Sequence, residues 1–327
     1  MGMLKEGEII GGYRVCRLLG TGGMAEVYEV EHLGLRKRLA MKVFVGEGKH
    51  AALLRERFLA EGRLLSRIDH PHVVKAYDLG GDDPDERAYF TLDLHLDADG
   101  NPATVENECR RHAVTESRVR DWYADVREAL LFIHAQGLVH RDVKPSNLLL
   151  DAQGHARLSD FGVVRFSGAL KEELAIETTF VTGLDALHAA IMGTYRYLAP
   201  EVQAGGVATP AADMWALGMT VFRLLTGIDY VPQTNAFKLL AHYDPCWRRI
   251  VPRLLDPDPD KRTMPELESG SSWKGARRWA AAFAIFLVGA GMGWAGGRMS
   301  GSVPDEPGEV DVDALVDRAF EIPDWIK

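Results

Sequence analysis

The chain is 327 residues long, with 46% hydrophobic and 26% charged residues, a composition that excludes wholesale disorder, collagen-like repeats and a disulfide-built scaffold. Its formal charge of -9 includes no long Lys/Arg stripe, so the footprint of a duplex-binding protein is missing and nucleic acid is not expected as a partner. Three cysteines, Cys16, Cys109 and Cys246, lack the paired spacing of a zinc or redox motif and read as reduced thiols.

Residues 1–12 form an N-terminal segment in which Lys5, Glu6 and Glu8 interrupt any apolar run, so it does not read as a signal peptide. From residue 13 to 268 a globular domain is expected. Its first third alternates apolar and polar residues, as in Glu26 to Val30 and Leu39 to Phe44, the period-two signature of strands. Between them, Leu18 to Val27 fits G-x-G-x-x-A-x-V through Gly20, Gly22 and Ala25. In a dinucleotide fold such a turn opens a helix, whereas here a strand-like run follows. The loop is therefore expected at the tip of a β-hairpin lying over a triphosphate.

Lys42 lies in an apolar strand, where a buried ammonium is costly unless anions surround it. Phosphate oxygens would meet that need, together with Glu61 in the helical stretch Leu53 to Ile68, whose apolar face is Phe58, Leu64, Leu65 and Ile68. Asp82 to Glu86 reads as a solvated hairpin turn. A second helix is expected over Val119 to His134, with Trp122, Val126, Ala129, Leu130 and Ile133 on one face.

The densest signal is His140-Arg141-Asp142-Val143-Lys144-Pro145-Ser146-Asn147, followed by a strand-like Leu148 to Leu150 and by Asp160-Phe161-Gly162. Asp142 can accept the proton of an attacking hydroxyl, Asn147 and Asp160 offer the hard oxygens that Mg²⁺ requires, and Lys144 can neutralise charge on a moving phosphoryl group.

With these blocks in order, the chain resembles the serine/threonine protein kinases, and is similar to the bacterial membrane-anchored members of that family. The resemblance runs from about Tyr13 to Thr263 and includes Ala199-Pro200-Glu201, Asp213 to Gly218 and Arg262. It implies an α+β, two-lobed kinase fold with a small β-rich lobe and a larger helical one, ATP and Mg²⁺ as cofactors, and protein Ser/Thr hydroxyls as acceptors. By position it implies that Lys42 contacts the α- and β-phosphates and pairs with Glu61. Leu19, Val27, Ala40 and Leu149 would sandwich the adenine under Gly20 and Gly22, and Leu92 would precede a hinge from Asp93 to His95. Asp142 would be the base, Asn147 and Asp160 the metal ligands, and Glu201–Arg262 and Asp213 the scaffold. A pseudokinase that holds nucleotide as a membrane-tethered scaffold is the rival reading. Thr178, Thr179 and Thr182 are the hydroxyls open to phosphorylation between Asp160 and Glu201, with Arg141 as a counter-charge.

After a basic linker, 269–278, the nineteen residues Trp279 to Gly297 carry no charged or amide side chain. As a helix they would reach roughly the 30 Å of a bilayer's apolar core. Lys274, Arg277 and Arg278 before the run, against Arg298 after it, place the kinase domain on the cytoplasmic side of a single-pass cell-membrane protein. The tail, 298–327, would lie outside; its residues 299–327 hold eight acids against Arg318 and Lys327, supplying six of the nine net negative charges. Gly289, Gly293 and Gly297 form a stripe of small residues suited to homodimer packing.

Overall fold

A computed structural model describes residues 2–22, 24–46, 51–81, 83, 86–161, 195–232 and 236–267. The alternating N-terminal runs form the expected strands: β1 (Ile9–Ile10), β2 (Tyr13–Thr21), β3 (Ala25–His32), β4 (Arg38–Phe44), β5 (Ala76–Gly80) and β6 (Tyr89–Leu92). All neighbours are antiparallel, in the order β1-β2-β3-β4-β6-β5. Because side chains alternate faces, the pairings Val27 with Lys42 and Lys42 with Phe90 put these three residues on one face, together with Ala40 and Leu92. The opposite face carries Tyr28, Val30, Met41 and Val43, which form a separate core with Leu4 of the N-terminal segment.

Helix α1 (Ala51–Leu65) is the only α-helix described between the strands, and it packs against β5 and β6. It starts two residues before Leu53 and stops three before Ile68, because the Arg67 and Ile68 amides switch to carbonyls three residues back and tighten the final turn. Ile68 remains in the core.

Among the described residues the helical lobe is built around the remaining core from α2 (Val105–Arg111), α3 (Glu116–Ala135), the short ribbon β7 (Leu148–Leu150) with β8 (Ala156–Leu158), α4 (Pro200–Gln203), α5 (Pro210–Thr226) and α6 (Trp247–Leu254). Thr104 and Thr115 cap α2 and α3 by accepting the Asn107 and Arg118 amides. Helix α5 is apolar nearly all round, as a helix buried at the centre of a domain must be. Pro210 starts it, and Gly227 at φ 74° ends it by donating its amide to the Arg223 carbonyl.

The lobes are tied behind the cleft: the Val74 amide donates to the Leu158 carbonyl (3.0 Å) and the Leu158 amide to the His72 carbonyl (2.9 Å). Trp215 and Trp247 are core residues. The turn between β5 and β6 is less free than a solvated hairpin, since Arg55 of α1 donates to the Gly81, Asp83 and Glu86 carbonyls. Among the described residues no helix is long and apolar enough to cross a membrane. The run 279–297, its linker and tail, and Gly289, Gly293 and Gly297 lie outside the described residues, as do Gly162, Thr178, Thr179 and Thr182.

Candidate active site

The glycine turn is the tip of the β2–β3 hairpin, closed by the Gly22 amide donating to the Ala25 carbonyl (2.8 Å). A Cβ added at Gly20 would meet nothing within 4 Å, so space remains beside the loop. Gly23 lies outside the described residues. Leu19, Val27 and Ala40 belong to the upper sheet and Leu149 to β7 of the lower lobe.

Lys42 places its ammonium 3.0 Å from Glu61 Oε1 and 2.9 Å from Asp160 Oδ1, joining strand, helix and lower lobe in one cluster. Burial opposes the lysine's charge, yet the Asp160 and Glu61 carboxylates outweigh it and hold the group above its ordinary pKa. Asp160 moves the other way: the ammonium, ahead of every other influence, lowers its carboxyl. Glu61 is pushed up by burial, and Lys42 offsets only part of that. The Asp160 side chain is 52% exposed, and its Oδ2 carries no hydrogen bond among the described residues.

The side chains of the loop from His140 to Asn147 converge on Asp142. Asn147 Nδ2 donates to the Asp142 carbonyl and to its Oδ2, both at 2.9 Å, and Lys144 Nζ lies 3.0 Å from the same Oδ2. These bonds commit the amide nitrogen of Asn147 and, among the described residues, leave its Oδ1 with a long contact from Ser146 Oγ, at 3.4 Å. Asp160 Oδ2 and Asn147 Oδ1 are hard oxygens of the type that binds Mg²⁺, an ion that completes its shell with water and phosphate oxygens. Among the described residues no three His, Cys, Asp or Glu side chains converge on a metal position of their own.

Backbone strain concentrates at this loop. Arg141 (φ 71°) and Asp160 (φ 54°) are two of the three non-glycine residues with positive φ among the described residues, a conformation costing about 1–2 kcal/mol each. Asp213, at the N-terminal end of α5, stabilises the first: its Oδ1 accepts the Arg141 amide (2.7 Å), and its Oδ2 accepts the His140 amide and faces His134 Nε2, both at 2.8 Å. His140 links the loop to the second, with its Nε2 on the Ser159 carbonyl (2.9 Å) and its Nδ1 accepting the Asp142 amide (3.2 Å). That pattern requires a neutral ring protonated at Nε2, and burial lowers its pKa accordingly. Neither His134 nor Ser159 carries a sequence signal of these roles, since each acts on a partner far along the chain. Arg141 Nε is buried without a hydrogen-bond partner among the described residues.

At the hinge, the Asp93 amide is committed to the Lys75 carbonyl (3.1 Å) and the His95 carbonyl to the Ala103 amide (3.0 Å). The Asp93 carbonyl and the His95 amide carry no hydrogen bond among the described residues, one acceptor and one donor for the edge of a base. Below the cleft, Arg262 is fully buried and donates to both Glu201 oxygens at 2.6 and 2.8 Å, and to the Ala211 and Asp256 carbonyls.

A family model described as the protein kinase domain matches residues 13–268. The chain is similar to serine/threonine-protein kinase PknJ of Mycobacterium tuberculosis, 35% identical over 68% of this chain and 35% of that protein. It is also similar to serine/threonine-protein kinase PrkC of Bacillus subtilis, 30% identical over 69% of this chain and 32% of that protein. The chain thus spans about a third of the length of the curated relatives it matches. Among solved structures, the kinase domain of Mycobacterium tuberculosis PknI superposes with a TM-score of 0.56 at 26% identity, covering 80% of this chain and 94% of that one.

Proposed function

The chain belongs to the protein kinase family, and from that premise we propose that it is a serine/threonine protein kinase, transferring the γ-phosphoryl group of ATP to protein hydroxyls. The observation that carries this reading is the Lys42 ammonium held between Glu61 and Asp160, with Asp142, Lys144 and Asn147 joined in one network on the loop below. A scaffold that merely held nucleotide would have no use for a carboxylate kept within reach of an acceptor hydroxyl.

Leu19, Val27, Ala40 and Leu149 bound the adenine, the Asp93 carbonyl and His95 amide meet its edge, and Gly20 and Gly22 admit the phosphates. Lys42 orients the α- and β-phosphates through its charge. Asp142 receives the proton of the attacking Ser or Thr hydroxyl at its carboxylate. Lys144, beside Asp142, offsets negative charge as the phosphoryl group moves. Asp160 and Asn147 would hold Mg²⁺, which when bound supplies further charge neutralisation at the phosphate oxygens. The test incubates the full chain with labelled ATP and Mg²⁺ beside an Asp142→Asn control. Incorporation that is lost in the control supports transfer, and nucleotide binding with no incorporation supports the scaffold instead.

The domain 13–268 is joined in this reading through a basic linker, 269–278, to a single membrane span at Trp279 to Gly297, with the kinase domain cytoplasmic and residues 298–327 outside. The charge asymmetry of its flanks supports this orientation. Recovery of the full chain in the membrane fraction, with the tail alone cut by protease added outside intact cells, is the expected result; a kinase domain cut from outside would refute it. Gly289, Gly293 and Gly297 pair two spans, so Gly293→Leu should weaken self-association in detergent.

A further inference from the structure

The Val74 and Leu158 hydrogen bonds tie the lobes behind the cleft, and the Lys42–Asp160 pair ties them inside it. A further tie crosses the mouth: Arg17 of β2 donates through Nη2 to the Gly100 carbonyl, 83 positions along the chain. Arg17 stands two residues before Leu19, and Gly100 five after His95. The bond therefore joins the strand that runs into the glycine hairpin to the chain that leaves the hinge.

Both ends of this bond are held in place. Arg17 pairs with Glu29 of β3, and Glu29 with Ala40 of β4, so Arg17 and Glu29 extend the sheet face that carries Val27, Ala40 and Lys42. The Glu29 carboxylate, 2% exposed, meets Arg17 Nε with one oxygen (2.7 Å) and Arg38 Nη1 with the other (2.5 Å). Burial opposes its charge, but the bonds from Arg38 and Arg17 outweigh burial and hold its carboxyl below the ordinary pKa. The Arg17 side chain is 43% exposed, where a lone guanidinium would lose most of a hydrogen bond's worth to the entropy of staying still. Here Glu29 already fixes one edge of the planar fork, so the other edge meets the carbonyl at little further cost.

Gly100 lies in a turn that is itself braced. Asp97 Oδ1 accepts the Asp99 and Asn101 amides, the Gly100 amide donates to the Asp97 carbonyl (3.0 Å), and Arg111 of α2 stands 2.6 Å from Asp97 Oδ2. The chain after the turn belongs to the lower lobe, because the Leu150 amide of β7 donates to the Ala103 carbonyl (2.7 Å).

We propose that Arg17 is a positioning residue for the nucleotide: its bond to Gly100 holds the root of the glycine hairpin down at the outer side of the adenine pocket and slows nucleotide release. The inference rests on the kinase reading and deepens it by naming a residue that sets nucleotide residence without touching the reacting atoms.

The test measures binding and release of ADP, ATP and adenosine by the full chain with Mg²⁺, beside steady-state kinetics. Arg17→Gln should raise the ADP dissociation rate and Kd about fivefold, as loss of one partly exposed charge-assisted hydrogen bond would, with ATP and adenosine weakened by the same factor. KM for ATP should rise in step while kcat at saturating ATP does not fall. Arg17→Lys, whose single ammonium cannot fork between Glu29 and Gly100, should fall between the two, and it carries the test if Arg17→Gln fails to fold. A purely structural role would lower the thermal midpoint without speeding release from the folded molecules. Unchanged release in the folded variants would overturn the latch, as would a fall in kcat with KM unchanged. A loss that grows with the number of phosphates would overturn it too, as the mark of a guanidinium that touches the phosphates itself. These results leave the kinase reading intact, whereas an unaltered chain that binds none of the three ligands would remove that reading and the latch together.

Discussion

Two carboxylate clusters lie on either side of the loop from His140 to Asn147, built from the same residue types and finished differently. In the floor cluster every acid is saturated: Asp213 is fully buried and accepts two loop amides beside His134, and Glu201 gives both oxygens to a buried Arg262. In the cleft cluster Asp160 is half exposed, meets Lys42 with one oxygen, and keeps the other without a hydrogen bond among the described residues. A saturated acid can only hold structure, whereas one with an uncommitted oxygen can take up a ligand. The two clusters differ in how far each acid's hydrogen-bonding capacity is used, which suits the floor to holding the backbone and the cleft to receiving a ligand.

Substitutions should therefore fail in different currencies. Lys42→Met is expected to lower phosphoryl transfer by about a thousandfold, as loss of a charge-stabilising donor does, while the thermal midpoint falls far less, because the buried Glu61 left without its ammonium can take up a proton, burial having already raised its carboxyl. Melting curves beside activity measurements check this, and a large drop in midpoint would erase the distinction. Arg262→Met should act in reverse, costing about 3 kcal/mol of stability, because it leaves the partly buried Glu201 without its guanidinium and the Ala211 and Asp256 carbonyls without a donor, while activity per folded molecule changes less. Urea unfolding gives the first quantity and titration of active sites the second.

A smaller effect comes from acid. His140 binds a proton less readily folded than unfolded, so its contribution to stability is fully present above the ordinary histidine value of about 6.5 and is lost as pH falls through that value toward the lower folded one. Partly buried His70 and His95, whose pKa values burial also lowers, add in the same direction. Asp160, lowered by Lys42, stays ionised across this window. Unfolding midpoints measured from pH 8 to 5 should fall, with a shallower slope in His140→Asn; equal slopes would remove His140 from the account. The least effect is expected from Thr104→Ala, about 1 kcal/mol for a lost helix cap, with transfer unaffected.

The cleft cluster was legible in the sequence because its members sit in short ordered blocks whose spacing has a chemical reason. Lys42 and Glu61, nineteen positions apart, could be paired because an ammonium in an apolar strand demands an anion. The floor was legible only through resemblance, which supplied Glu201, Arg262 and Asp213. His134 gave no signal, being one histidine on a helix whose partner lies 79 positions away. The end of α1 was misplaced because Ile68 continues the apolar pattern after the backbone has left the helix, so burial outlasts periodicity. A cavity beside Pro145 draws its wall from five separate stretches of chain, at 106–114, 145, 197, 223–227 and 243, and no local pattern could announce it.

The paired hydrogen bonds from Val74 and Leu158 have a mechanical consequence. The loop leaving α1 is stitched to β8, and Asp160 follows β8 after a single residue, Ser159. The backbone thus links the end of the helix bearing Glu61 to the strand delivering Asp160 by a route that stays outside the cleft, so the two anions of Lys42 share a support that Lys42 itself does not provide.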